Sequence, residues 1–267
     1  MCDNCGCGKS DHFHVHPGHK AGHGDFDDEQ QSHGHHGEGW HAHTAADGTV
    51  SWHTHADHGP QQILEANQRE AERNRGYFRA RGIVALNIVS SPGSGKTTLL
   101  KKTLERIHPR IGCAVVVGDL ETSEDAEALR PSGAPVVQIT TGTVCHLDAR
   151  MVAAAVDTLP ADGVRLLFIE NVGNLVCPAS FDLGEAHRIV LLATTEGENK
   201  PLKYPPIFHG ARAVVISKTD LSEPAGFDLE RARKAISQVA PDAEIIELSS
   251  RGGEGLDDWI KFLESLL

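Results

Sequence analysis

Three cysteines stand within the first seven residues, spaced Cys2-x-x-Cys5-x-Cys7. Thiolates are soft ligands that suit nickel, copper(I) or zinc. With Met1 removed, the amine of Cys2 becomes a further donor, and three thiolates plus an amine complete a site that is square-planar for Ni(II). Behind this motif, 13 of the 17 histidines fall between His12 and His58, in runs such as HFHVHPGHKAGHG, QSHGHHGEGWHAH and SWHTHADHG. Imidazole binds divalent transition ions, so the tract reads as several weak, exchangeable sites. A third group of soft donors lies further on, in Thr141-Gly-Thr-Val-Cys145-His146-Leu-Asp148 and in Cys177-Pro178. If the strands that precede these two segments are neighbours in a sheet, Cys145, His146 and Cys177 converge. Spacing alone leaves open whether they hold an ion or are buried structural residues. Cys113 opens an apolar run with no ligand partner nearby and reads as a structural thiol.

A second chemistry is written between Ile83 and Leu100. The apolar run IVALNIV leads into SSPGSGKTTLL. A chain that turns sharply from strand to helix aims its backbone N–H groups at one point, and the helix N-terminus adds a favourable dipole for an anion. Gly93, Ser94, Gly95, Lys96, Thr97 and Thr98 thus form a P-loop, with Lys96 reaching the terminal phosphates and Thr97 ligating Mg²⁺. Ser90 stands where this motif usually has its first glycine. Asp119, after AVVVG, is placed to orient the attacking water or to hold Mg²⁺ through water. Glu170, ending RLLFIE with Gly173 three residues on, takes the place of a Walker-B acid; Glu121 is a lesser candidate. Ser217-Lys218-Thr219-Asp220 resembles the N-K-x-D guanine motif, in which the carboxylate accepts the N1 and N2 protons of the base. Serine in place of asparagine leaves base selectivity open. Ser249 and Ser250, in LSSRGGEGL, sit where a second base-contacting loop belongs.

These residues need elements to position them. Apolar runs predict strands at Ile83–Val89, Ala114–Val117, Val136–Ile139, Val164–Ile169, Arg188–Ala193, Ala213–Ile216 and Glu244–Leu248. Helices are predicted from Gln61 to near Gly82, after Gly95, after Ser123, from His146 to Leu159, from Asp228 to Val239 and from Leu256 onward. Strands alternating with helices imply βαβ units, and runs such as VVV and LLFI suit strands covered on both faces. The fold class expected is therefore α/β, a mainly parallel sheet flanked by helices. Residues 1–60 are too rich in Gly, His and acid, and too poor in large aliphatics, to offset roughly 1–2 kcal/mol of backbone entropy per ordered residue. They are expected to be a disordered metal-binding extension, with residues 61–267 as the nucleotide-binding domain. The chain of 267 residues carries 25 Lys+Arg against 37 Asp+Glu, a formal charge of -12. That balance argues against nucleic acid as a partner. The absence of a long apolar run argues against membrane insertion, and the N-terminus has no secretory pattern. Free thiols and a reducing cytoplasm are expected.

Taken together, MCDNCGCG, the His-rich tract, SSPGSGKTTLL, VVVGDLETSEDAE, TGTVCHLDA, FIENVGNLVCPASFDLGE, EGENKPLKYP and SKTDL resemble the HypB family. These are GTPase accessory proteins for nickel insertion into [NiFe]-hydrogenase. The resemblance covers essentially the whole chain. It implies a SIMIBI-class P-loop domain that binds GTP with Mg²⁺, hydrolyses it slowly to GDP and forms a homodimer linked to nucleotide state. It also implies Ni²⁺ or Zn²⁺ on Cys145, His146 and Cys177, a tight nickel site on Cys2, Cys5 and Cys7, and nickel storage on the His-rich tract. The partners implied are a HypA-type nickel protein and the hydrogenase large subunit precursor. Lys200 is expected near the nucleotide or the subunit contact. The other readings are a UreG-like urease nickel GTPase, a nickel store with a vestigial nucleotide site, and an ATP-dependent partition or targeting protein.

Overall fold

A computed structural model describes residues 13–16, 33–36, 40–44, 50–54 and 60–267, apart from 109 and 161. The described elements run β1 (Phe13–His16), β2 (His33–His36), β3 (Trp40–Thr44), β4 (Val50–Thr54), α1 (Pro60–Ala80), β5 (Val84–Ser90), α2 (Lys96–Ile107), β6 (Cys113–Asp119), α3 (Glu124–Leu129), β7 (Val136–Thr140), α4 (Ala149–Asp157), β8 (Leu166–Glu170), β9 (His187–Ala193), α5 (Lys200–Lys203), α6 (Pro205–Phe208), β10 (Ala213–Ser217), α7 (Leu229–Val239), β11 (Glu244–Glu247) and α8 (Leu256–Ser265).

One sheet holds the strands in the order β11-β10-β9-β5-β8-β6-β7-β1-β4-β3-β2. The seven from β11 to β7 are parallel, the α/β sheet expected. Apart from the edge strand β11, their side chains are mostly buried on both faces. On one, Leu86, Ile88 and Phe168 meet Leu100 and Leu104 of α2 and Trp259 of α8. On the other, Ala85, Val116, Leu167 and Ile169 meet Met151 and Val152 of α4 and Phe78 of α1. A third cluster joins Val190, Val214 and Ile216 to Phe208 of α6 and Ile236 of α7. From β5 the chain passes to β6 and β7 on one side, returns to β8 between β5 and β6, and then crosses to β9, β10 and β11 on the other side. The connections after β5 and β8 thus diverge, and such a switch point is where α/β sheets open a ligand crevice at their carboxyl ends. The P-loop leaves β5 into that crevice.

From residue 60 onward the strand and helix assignments hold to within a few residues. One start shifts for a clear reason: the helix read from His146 begins at Ala149, because Asp148 is its N-cap and accepts from Met151 N at 2.8 Å. An N-cap has non-helical backbone, which leaves Cys145 and His146 in a turn. The short helices α5 and α6 were not expected; Pro201, Pro205 and Pro206 break a stretch too short to read periodically. Within the tract expected to be disordered, the described segments are four short antiparallel strands extending the sheet beyond β7. Their register sets Val15 opposite Ile139, and His41 opposite both His35 and His53. The rest of that expectation, with Cys2, Cys5 and Cys7, lies outside the described residues.

Candidate functional site

The P-loop turns on two glycines with positive φ, Gly93 at 71° and Gly95 at 98°. Gly95 is the residue from which α2 starts. Room for the loop comes from Gly173: a Cβ there would lie 2.9 Å from Pro92 Cα, closer than real Cβ atoms come. Ser90, in the place of the usual first glycine, is fully buried and its hydroxyl accepts from Ser94 Oγ at 2.5 Å and from Lys96 Nζ at 3.0 Å. Lys96 is thus folded back onto its own loop. Burial pushes its pKa below the usual lysine value, while Glu170, Asp125, Glu196 and Asp119 oppose the shift.

Thr97 Oγ1 lies 2.8 Å from Glu170 Oε1 and 2.8 Å from Asp125 Oδ1. A hydroxyl has one proton to donate, so both contacts are satisfied only if one carboxyl carries a proton. Glu170 is the candidate, because burial raises its pKa to about 7 against the attraction of Lys96. Its Oε2 is buried without a hydrogen-bond partner among the described residues. An orphaned carboxylate oxygen beside a shared hydroxyl fits a hard divalent cation taking oxygen ligands, and Thr97 and Glu170 would hold Mg²⁺ here. Asp125 was not foreseen: it lies in the first turn of α3, where acids are common, and only the placement of Thr97 singles it out.

Asp119 stands nearby but its carboxylate is engaged by its own loop. Oδ1 accepts from Leu120 N at 2.8 Å, and Oδ2 accepts from Thr122 N at 3.1 Å and from the Thr122 hydroxyl. In this state it shapes the loop and reaches Lys96 and Glu170 through its charge.

At the base loop, Ser217 Oγ donates to Ser94 O at 2.8 Å, and Lys218 Nζ donates to Gly93 O at 2.7 Å. Ser217 therefore ties the base loop to the P-loop, a role a hydroxyl fills as well as an amide. Lys218 is the one described non-glycine residue with positive φ, 59°, and Thr194 Oγ1 fixes its carbonyl at 2.7 Å. Asp220 Oδ1 accepts from Ser249 Oγ at 2.6 Å. The seryl contact falls at Ser249, which is fully buried; the neighbouring Ser250 is half-buried. Lys200 sits 3.7 Å from Glu196 and over the Tyr204 ring.

Cys145, His146 and Cys177 do converge: their ligand atoms lie within 4.8 Å of one another. Cys145 Sγ is 2.9 Å from Cys177 Sγ. The His146 ring is buried and stacks on Phe181 with centroids 3.8 Å apart. Burial pushes its pKa down to about 4, so the imidazole is neutral near pH 7 with a lone pair to offer. Its Nδ1 has no hydrogen-bond partner among the described residues. The sequence argument required neighbouring strands, and that premise fails: β6 lies between β7 and β8. Convergence is reached because the chain after β7 crosses the end of β6, where Thr141 N and Gly142 N donate to Asp119 O and Leu120 O at 2.8 and 2.9 Å. Cys113 is the buried structural thiol expected, its Sγ 3.1 Å from Ile111 O and its pKa pushed up to about 12 by burial.

Helix α1 holds this corner together. Asn67 Oδ1 accepts from Ala149 N and its Nδ2 donates to Asp182 O, both at 2.8 Å. Asn74 Nδ2 donates to Ala149 O and Leu183 O, and Arg75 pairs with Asp182 at 2.5 Å. These contacts are not legible in the sequence, since polar residues on a helix face do not name their partners.

The nucleotide-binding domain of the family described as CobW/HypB/UreG matches residues 84–247. Hydrogenase maturation factor HypB of Escherichia coli (strain K12) is 52% identical over 203 residues, spanning 76% of this chain and 70% of that protein. The crystal structure of HypB from Helicobacter pylori in complex with nickel superposes with a TM-score of 0.72 at 41% identity, covering 75% of this chain and 94% of that one. HypB from Archaeoglobus fulgidus superposes at 0.71 and 40% identity, over 76% and 98%. The chain belongs to the CobW/HypB/UreG family and, within it, to the HypB hydrogenase maturation factors.

Proposed function

We propose that this HypB-family chain is a GTPase that carries nickel, taking Ni²⁺ as cargo and delivering it during [NiFe]-hydrogenase maturation. The observation that supports it most is the thiol–imidazole cluster, three ligand atoms within 4.8 Å, built inside the nucleotide-binding domain and seven residues from Glu170. Two sulfurs and a neutral imidazole are a soft donor set, suited to Ni²⁺ or Zn²⁺. That a relative at 41% identity was crystallised with nickel agrees with the same cargo here.

In this reading the nucleotide's phosphates lie on the amides of Gly93 to Thr98. Lys96 leaves Ser90 to meet them, and Lys218, Asp220 and Ser249 frame the base. Mg²⁺, when bound, neutralises charge developing on the phosphates. Thr97 and Glu170 orient it, Asp125 fixes the Thr97 hydroxyl, and Asp119 is positioned to help order the attacking water once its loop rearranges. Hydrolysis is slow. The division falls near residue 60, with Cys2, Cys5 and Cys7 as a tight nickel site, the histidines as a store, and residues 61–267 as the GTPase. A homodimer, a HypA-type partner, the hydrogenase large subunit and a cytoplasmic location complete the reading. No described helix is long and apolar enough to cross a membrane.

The test is GTP turnover by the full chain, with ATP as competitor, beside Lys96→Ala. Turnover that survives ATP competition and disappears in the variant supports the reading. Absent turnover in the unsubstituted chain favours a store with a vestigial nucleotide site.

A further inference from the structure

Asn171 follows Glu170 at the end of β8 and is fully buried. Its Oδ1 accepts two backbone amides, Leu147 N at 3.1 Å and its own neighbour Val172 N at 3.0 Å. Its Nδ2 donates to Asn87 Oδ1 at 3.2 Å. Asn87, in the central strand β5, donates in turn to Glu185 Oε1 at 3.0 Å, and Glu185 Oε2 accepts from Leu183 N at 2.8 Å. The result is a buried polar chain from the segment carrying Cys145 and His146, through two strands, to the segment that follows Cys177. An amide oxygen has two lone pairs for the two N–H groups while its nitrogen donates at the other side, which a neutral imidazole with a single lone pair cannot match, and glutamine is one methylene too long for the Leu147 and Val172 contacts to persist unchanged.

The two loops of the metal cluster are connected to the nucleotide site differently. Cys177 is linked to Glu170 along the chain. Cys145 and His146 come from the other loop and have no such covalent path. Among the described contacts, Asn171 supplies the shortest link: its backbone adjoins the carboxyl that meets Thr97, and its side chain holds the N–H next to His146. Because every partner in such a chain is buried, displacing one member leaves another buried polar group unsatisfied, which is unfavourable.

We propose that Asn171 is the positioning residue that couples nucleotide state to the metal cluster, by clamping the amide beside His146 to the residue beside Glu170. This rests on the nickel-carrying GTPase reading above. Coupling is reciprocal, so a nucleotide that alters metal affinity is itself bound differently when metal is present.

The experiment uses the full chain with Cys2, Cys5 and Cys7 changed to Ser, so that thiolate-to-nickel absorption reports only Cys145 and Cys177. Ni²⁺ is titrated in GDP and in a non-hydrolysable GTP analogue, with and without Asn171→Ala. The parent should show at least about a fivefold difference between the two nucleotides. The variant should bind nickel and both nucleotides, with that difference reduced to about twofold or less. A merely structural role would weaken both nickel affinities together and leave their ratio intact, and that result overturns the proposal. A parent with no difference refutes the proposal, while the nickel-carrying GTPase reading stands or falls separately on nickel binding and GTP turnover. In case the variant fails to fold, hydrogen exchange at the Leu147 amide of the unsubstituted chain gives a second decision. Protection that changes between the two nucleotides supports the clamp, and identical protection refutes it.

Discussion

Replacing Glu170 by Gln should make the metal-free, nucleotide-free protein more stable at alkaline pH while disabling it as an enzyme. Glu170 is 2% exposed and its pKa rises from 4.5 to about 7, chiefly through burial. A carboxyl with a raised pKa holds its proton more tightly folded than unfolded. Stability is therefore intact below the unfolded pKa, falls as pH rises from about 4.5 towards about 7, and is lowest above that. With those two pKa values, linkage gives a loss of roughly 1 kcal/mol at about pH 5 and roughly 3 kcal/mol at about pH 8. Glutamine has no proton to exchange and keeps an amide able to bond Thr97. Urea unfolding in chelator should show the stability of the parent falling by about 2–3 kcal/mol more than that of the variant between those two conditions. Asp125→Asn should reduce the slope in the parent background, because the Asp125 charge helps raise the Glu170 pKa. GTP hydrolysis should be lost in Glu170→Gln. Parallel pH profiles for parent and variant would show that Glu170 is already ionised in the folded protein, and the protonated Thr97 arrangement would be refuted.

Two glycine substitutions should separate in sign. Gly173→Ala places a Cβ against the backbone of Pro92, so it should displace the P-loop and weaken GDP binding at least about tenfold, read by fluorescence titration. Gly76→Ala lies inside α1 with nothing within 4 Å of the new Cβ, and should raise stability by about 0.5–1 kcal/mol in urea unfolding. Asp220→Asn exchanges a double acceptor for a donor–acceptor pair; it should weaken GDP and strengthen xanthosine diphosphate, each by at least about tenfold in competition. Asp228→Ala removes the cap that accepts from Arg231 N and should lower stability by about 1 kcal/mol without altering nucleotide affinity.

The parallel sheet was legible because its strands are apolar on both faces, and the P-loop because a strand, two glycines, a lysine and a threonine fall together. What stayed hidden are contacts between residues whose types are ordinary where they stand. Asp125 is an acid in a helix's first turn, and Asn67 and Asn74 are polar residues on a helix rich in charged side chains. Asp119 was legible as a strand-end acid facing the crevice, yet its oxygens are held by amides one and three residues away, a local alternative that short acidic side chains readily take. Ser217 was read for what it denies the base, whereas its partner is Ser94, across the crevice.

The route by which Cys145 and Cys177 meet has a consequence of its own. Because β6 separates β7 from β8, the cluster sits across the end of a strand that supplies none of its ligands. That strand ends in Asp119, and the backbone of Asp119 and Leu120 supports the crossing segment at Thr141 and Gly142. Any rearrangement that frees the Asp119 carboxylate for a water must unpick its bonds to Leu120 and Thr122, beside those two supports. The loop that would order the attacking water is thus also the floor under the Cys145 turn. Nucleotide state then has two points of purchase on the metal cluster, Asn171 from the Glu170 side and the Asp119 loop from the other. Neither Cys145 nor His146 has to touch the nucleotide for its position to depend on it.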